Sequence, residues 1–228
     1  MTWTFWSVPG ILQLLIAWSA AVALLRIAPY RSLNRRLAAM LVLEGMWGGQ
    51  VVNFMIEDRS LYLLVSQIGI AAAAALPFQY LSFLGSALET RLVALFGSRR
   101  AVILLGILSA AAALLVLLSP STFIGELYSP TWATWNFSFR PWGARIGQLN
   151  GIVSMLGLVA SLVVFLNAER GSAARSQAMW FVIAFGLRDA WNTIAWGLYP
   201  TLRPIPFWGE FIYHFGAPAV NTVYVCLM

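Results

Sequence analysis

Seven stretches of this sequence read as membrane-crossing helices: roughly residues 8–29, 37–56, 61–88, 101–119, 147–168, 176–199 and 207–228. A helix crossing the hydrocarbon core of a bilayer needs about 20 mostly apolar residues. Its backbone must satisfy its own hydrogen bonds, because no water is there to do so. Few architectures meet that demand. The expectation is an all-α membrane protein, a single bundle of seven transmembrane helices over residues 1–228 with no soluble domain between the spans. Composition agrees, with 61% of residues hydrophobic and 10% charged, against about 45–50% and about 25% in soluble domains. The first stretch is not a signal peptide, because no basic leader precedes it and further spans follow.

The direction of the bundle follows from its arginines, which crowd the cytoplasmic connections of membrane proteins. The first, third and fifth connections hold Arg26, Arg31, Arg35 and Arg36, then Arg91, Arg99 and Arg100, then Arg170 and Arg175. The second, fourth and sixth hold only Arg59, Arg140, Arg145 and Arg203, together with the acids Glu57, Asp58 and Glu126. The N-terminus is therefore expected outside and the C-terminus in the cytoplasm, in a multi-pass membrane protein. The final stretch, "NTVYVCLM", stops inside an apolar span. Such a point is a natural place for a longer parent chain to have been divided.

Residue types narrow the chemistry. All fourteen basic residues are arginine, so no lysine is present to form a retinal Schiff base. One cysteine, Cys226, and one histidine, His214, exclude a disulfide framework and speak against a zinc site or a bis-histidine haem. No cofactor or metal is expected. Nothing in the spacing selects a serine to work with His214, so no catalytic residue is assigned. The basic pI near 10.1 comes from arginines at helix ends and points to lipid headgroups, not nucleic acid.

Charges at membrane depth are costly unless they face the bundle interior and pair. At about 1.5 Å of rise per residue, Glu44 on the second span and Arg188 on the sixth come to matching depths. Arg188 and Asp189 are sequence neighbours and so point about 100° apart on their helix. Glu44 is accordingly the expected partner of Arg188. Gln13, Gln50, Asn53, Gln67 and Asn192 fall in the upper zone, whereas inner halves such as "LAAMLVL" and "LVASLVVFL" hold almost nothing ionisable. That asymmetry suggests a cavity open to the outside, with Glu44, Arg188, Asp189, Asn192, Glu210 and His214 as polar walls. Trp47, Trp135 and Trp191 would offer it flat apolar surface. These groups serve equally well as interhelical glue. Pro77 and Pro218 are expected to kink spans three and seven, and Gly45, Gly48 and Gly49 to let helices approach closely. The long fourth connection, "YSPTWATWNFSFRPW", is either an aromatic belt at headgroup level or a lid, since "WNFSFR" alternates like a short strand.

Three stretches, "LNRRLAAMLVLEGMWGG", "LPFQYLSFLGSALE" and "LNAERGSAARSQAMWFVIAFGL", resemble the N-terminal seven-helix sensor region of bacterial membrane histidine kinases and related signalling proteins. The resemblance covers nearly the whole chain. It implies a non-enzymatic sensor that binds a small ligand from outside and feeds a cytoplasmic output domain through its last helix. Its implied partners are the bilayer, a small-molecule ligand, a cytoplasmic signalling domain and, as an option, a second copy of the chain. The competing functions are a small-solute transporter or channel of three plus one plus three helices, and an accessory subunit of a larger membrane complex. No internal repeat between the first and last three spans favours the transporter.

Overall fold

The computed structural model describes residues 7–50, 55–129, 134–202 and 217–228, with side chains except at 192–202 and 217–218. The chain is mostly helical. In order it runs α1 (Val8–Ile27), α2 (Ser32–Gly49), α3 (Arg59–Ala87), a short α4 (Arg91–Gly97), α5 (Arg99–Leu118), β1 (Ile124–Tyr128), β2 (Asn136–Phe139), α6 (Pro141–Asn167), α7 (Ala173–Leu202) and α8 (Ala217–Leu227). Helix starts follow local chemistry. The Asp58 side chain accepts from the Leu61 N–H at 2.7 Å and Ser98 from the Ala101 N–H at 3.3 Å, capping α3 and α5. Proline stands in the first turn of α1 and α6, where its missing N–H costs nothing.

Among the described residues four helices, α1, α3, α5 and α6, are long and apolar enough to cross a membrane, and the first part of the expected seventh span, 207–216, lies outside those residues. Among the other elements, α2 carries Arg35, Arg36 and Glu44 within its 18 residues, and Arg188 and Asp189 interrupt α7. Packing follows a closed circuit: α1 lies against α2, α2 against α3, α3 against α6, α6 against α7, α7 against α8, and α8 back against α1. Helix α5 stands outside this ring, packed on α3. Burial agrees, since 61% of the apolar window of α3 is buried but only 17% of that of α5. The main core lies inside the ring and includes Ala17, Met40, Leu41, Tyr80, Phe83, Phe181, Phe185 and Tyr224.

Small residues allow the ring to close tightly. On α2, a methyl group added at Gly45 would meet Trp18, at Gly48 the carboxamide of Gln13, and at Gly49 the side chain of Leu14. All three lie on α1, so close packing is the use these glycines serve. Pro77 stands inside the continuous helix α3. Proline has no N–H for the carbonyl four residues back, here that of Ala73. Asn150 of α6 donates to that carbonyl at 2.9 Å, so a neighbouring helix supplies the missing partner.

The mostly helical chain departs from helix at the fourth connection, where β1 and β2 form an antiparallel hairpin pairing Ile124 with Phe139, Leu127 with Phe137 and Tyr128 with Asn136. Alternation of aromatic and polar residues places successive side chains on opposite faces of β2, and a two-stranded hairpin alone is marginal. This one is held from below. Phe123 and Ile124 join Ile70, Ala71, Ala74 and Val116 in a second core beside Trp47. The Phe137 ring stands edge-on to Tyr62 at 6.3 Å, and the Trp135 Nε1–H donates to the Glu57 carbonyl at 2.8 Å. The hairpin thus sits at the end of the bundle that also holds the α2–α3 connection.

Candidate functional site

A polar centre lies inside the ring, built by one residue from each of four helices. Glu44 of α2 is completely buried, and Arg188 of α7 nearly so. Arg188 Nη1 lies 3.0 Å from Glu44 Oε1, the pairing expected from matched depth. Tyr80 of α3 bridges them: its hydroxyl donates to Glu44 Oε1 and accepts from Arg188 Nη1 at 2.5 Å. Tyr224 of α8 completes the site. The guanidinium carbon lies 4.9 Å from its ring centroid and 5.1 Å from that of Tyr80. A guanidinium against two aromatic faces gains cation–π attraction that grows on desolvation.

The physics of the centre is that of a neutralised knot. Either charge alone would be costly in an apolar bundle, whereas the pair carries no net charge and its polar atoms largely satisfy one another. Beneath it the Tyr80, Phe185 and Tyr224 rings pack at centroid separations of 5.7–6.4 Å. Gln13 of α1 donates to the Glu44 backbone carbonyl at 3.1 Å, tying a fifth helix to the same point. Glu44 Oε2 makes no hydrogen bond among the described residues.

Positions along the helices give the depth. Tyr80, Glu44 and Arg188 stand about 10, 18 and 22 Å from the ends of α3, α2 and α7 that adjoin the arginine-rich connections, at about 1.5 Å per residue. On the individual helices this is half-way along α7, past the middle of α2 and two turns before the end of α3. Two surface grooves, one beside Trp18 and Arg26 and one beside Arg35 and Gln79, lie apart from it.

The expected site residues divide. Glu44 and Arg188 come together, but Asp189 turns to α6, where Ser154 donates to its Oδ1 at 2.6 Å. Trp47 packs against the second core, and Trp135, just before β2, donates to the Glu57 carbonyl. Trp191 is half-buried, its Nε1 without a hydrogen bond among the described residues. Asn192 lies on α7 with its side chain outside the described residues, as are Glu210 and His214 altogether. Pro218 falls in the first turn of α8, where the residues before it are likewise outside the description.

Sequence reasoning missed Tyr80 and Tyr224. A signal existed for the first: Leu76, Tyr80, Phe83 and Leu84 follow helical spacing along one buried stripe, and a buried tyrosine hydroxyl demands a partner. No family model matches the chain, and no curated protein matches its sequence.

Proposed function

We propose that the chain is a seven-span sensing domain of the membrane, with its N-terminus outside and its C-terminus in the cytoplasm. A small ligand entering from the outer side biases the helix arrangement, and α8 carries the change inward to a signalling domain or partner. The resemblance to the sensor regions of membrane histidine kinases supports this function, as does the alternation of arginine-rich and arginine-poor connections. The observation that carries it is the sharing of Arg188. One guanidinium engages Glu44 of α2, Tyr80 of α3 and Tyr224 of α8, so the last helix is keyed to the buried charge.

A ligand shifts such an equilibrium only by binding one arrangement more tightly than the other. The outer-side polar residues of the upper bundle, with Asp189, Trp191, Asn192, Glu210 and His214 among them, are the proposed ligand contacts. The Glu44–Arg188 pair is the proposed two-state element beneath them. The chain's only cysteine, exposed on α8, provides the readout. A spin label on Cys226, in protein reconstituted into liposomes, is followed while a small-molecule library is added from outside. A compound that raises the melting temperature of the protein should also change the label's mobility, and Arg188→Gln should abolish the second effect while protein remains folded. Binders that never move the label would sink the sensing function. Net accumulation of a labelled solute inside the liposomes would replace it with transport.

A further inference from the structure

A groove of about 530 Å³ runs along the outside of the ring between α2 and α5, over α3, within the size range of pockets for small apolar ligands. Small residues form its walls, among them Ala39 of α2 and Gly106, Ala110 and Ala113 of α5. Space is open there, since a methyl group added at Gly106 would touch nothing within 4 Å. The Ser109 hydroxyl is turned away to donate to the Ala75 carbonyl at 3.0 Å, which leaves the groove floor largely apolar.

Two polar groups break the apolar lining: the Gln79 carboxamide and the exposed Arg35 guanidinium. Among the described residues no carboxylate pairs with Arg35. Its neighbour Arg36 donates to the Ser82 carbonyl at 3.3 Å and keeps its charge nearby. Arg99 and Arg100 open α5 at the same end of the bundle. The acids there are Glu89 and Glu169, against nine arginines in the three connections and adjoining helix ends.

We infer that this groove binds one anionic phospholipid, an acyl chain lying along Gly106 and Ala110 and the phosphate held by Arg35. The occupant follows from the two halves of the site. An unfilled apolar groove facing hydrocarbon forfeits dispersion contacts that a chain restores, and basic pockets between helices at the arginine-rich side recruit anionic headgroups. Gln79 offers donors to the ester carbonyls that separate the two. The inference requires only that these helices cross a bilayer and stands independently of ligand sensing.

Native mass spectrometry of the full chain, released from mixed micelles containing dioleoyl-phosphatidylglycerol or dioleoyl-phosphatidylcholine, tests it. Expected is one retained phosphatidylglycerol per chain, favoured over phosphatidylcholine. Loss of the single headgroup contact in Arg35→Gln should weaken retention about fivefold, the equivalent of about 1 kcal/mol per basic residue. Gly106→Leu, which fills open space without touching the charge, should weaken it similarly, and Arg91→Gln on α4 should not. Equal retention of both lipids, or equal loss in Arg35→Gln and Arg91→Gln, would show ordinary boundary lipid and overturn the site. Displacement of the lipid by glycerol phosphate alone would assign the arginine to free phosphate and overturn the groove as a lipid site.

Discussion

Arg188 has no neutral form at any accessible pH, so its burial is sustained only by what surrounds it. Glu44 supplies the opposing charge, Tyr80 a hydroxyl that bonds both, and Tyr224 an aromatic face. Removing one member of such a pair strands the other and typically costs about 3–5 kcal/mol, whereas replacing both by apolar residues of similar volume is often neutral. Glu44→Leu and Arg188→Met are each expected to lower stability by that amount in detergent-denaturation titrations. The double variant Glu44→Leu/Arg188→Met should recover most of the loss. Additive effects across the cycle would show that the two charges do not depend on each other. The recovered stability should come without the α8 label response expected of the wild type, which separates the architectural role of the pair from the signalling role proposed for it.

Elements are joined here by corrections to one another's defects. The proline in α3 leaves the Ala73 carbonyl without its helical donor, and Asn150 of α6 supplies one. Asn150→Ala should therefore cost about 1 kcal/mol, within the range of polar contacts between membrane helices. In a Pro77→Ala background, where the backbone N–H returns, the same change should cost much less. An unchanged cost would mean that Asn150 acts through its second bond, to Ile146 of its own helix. The α1–α2 seam makes a parallel case. Gly48→Ala drives a methyl group into the buried Gln13 side chain and should destabilise by about 1–3 kcal/mol as overpacking. Gly106→Ala, pointing into open space on α5, should leave stability unchanged or slightly higher. Thermal unfolding of the purified pair of variants decides between seam and propensity.

At the scale of the whole molecule, each end of the bundle has its own character. The α1–α2, α3–α5 and α6–α7 connections collect arginine at one end, and the hairpin closes with the α2–α3 connection at the other. If arginine bias sets the orientation, the hairpin faces outside. In a Cys226→Ser background, cysteine placed at the exposed Tyr128 should react with an impermeant maleimide in intact cells. Cysteine at Ser98, between α4 and α5, should react only after the cells are opened. The reverse pattern would invert the bundle and with it the side from which the proposed ligand would enter.

Much of this was legible along the chain because it depends on local order. Apolar run lengths marked the four membrane-length helices of the described residues, arginines gathered at alternate connections, and residue rise placed Glu44 level with Arg188. The aromatic alternation of "WNFSFR" marked the strand β2. What no linear pattern contained was the closure of α8 onto α1 and the exclusion of α5 from the ring, since both depend on which faces meet. The same holds for Tyr80 and Tyr224, which read as ordinary apolar-helix residues until the ring brings them to one guanidinium from 108 and 36 positions away. Local sequence determines what each helix must bury. Only the tertiary structure decides which buried group answers which, because that partnership is settled by the joint packing of all the helices at once.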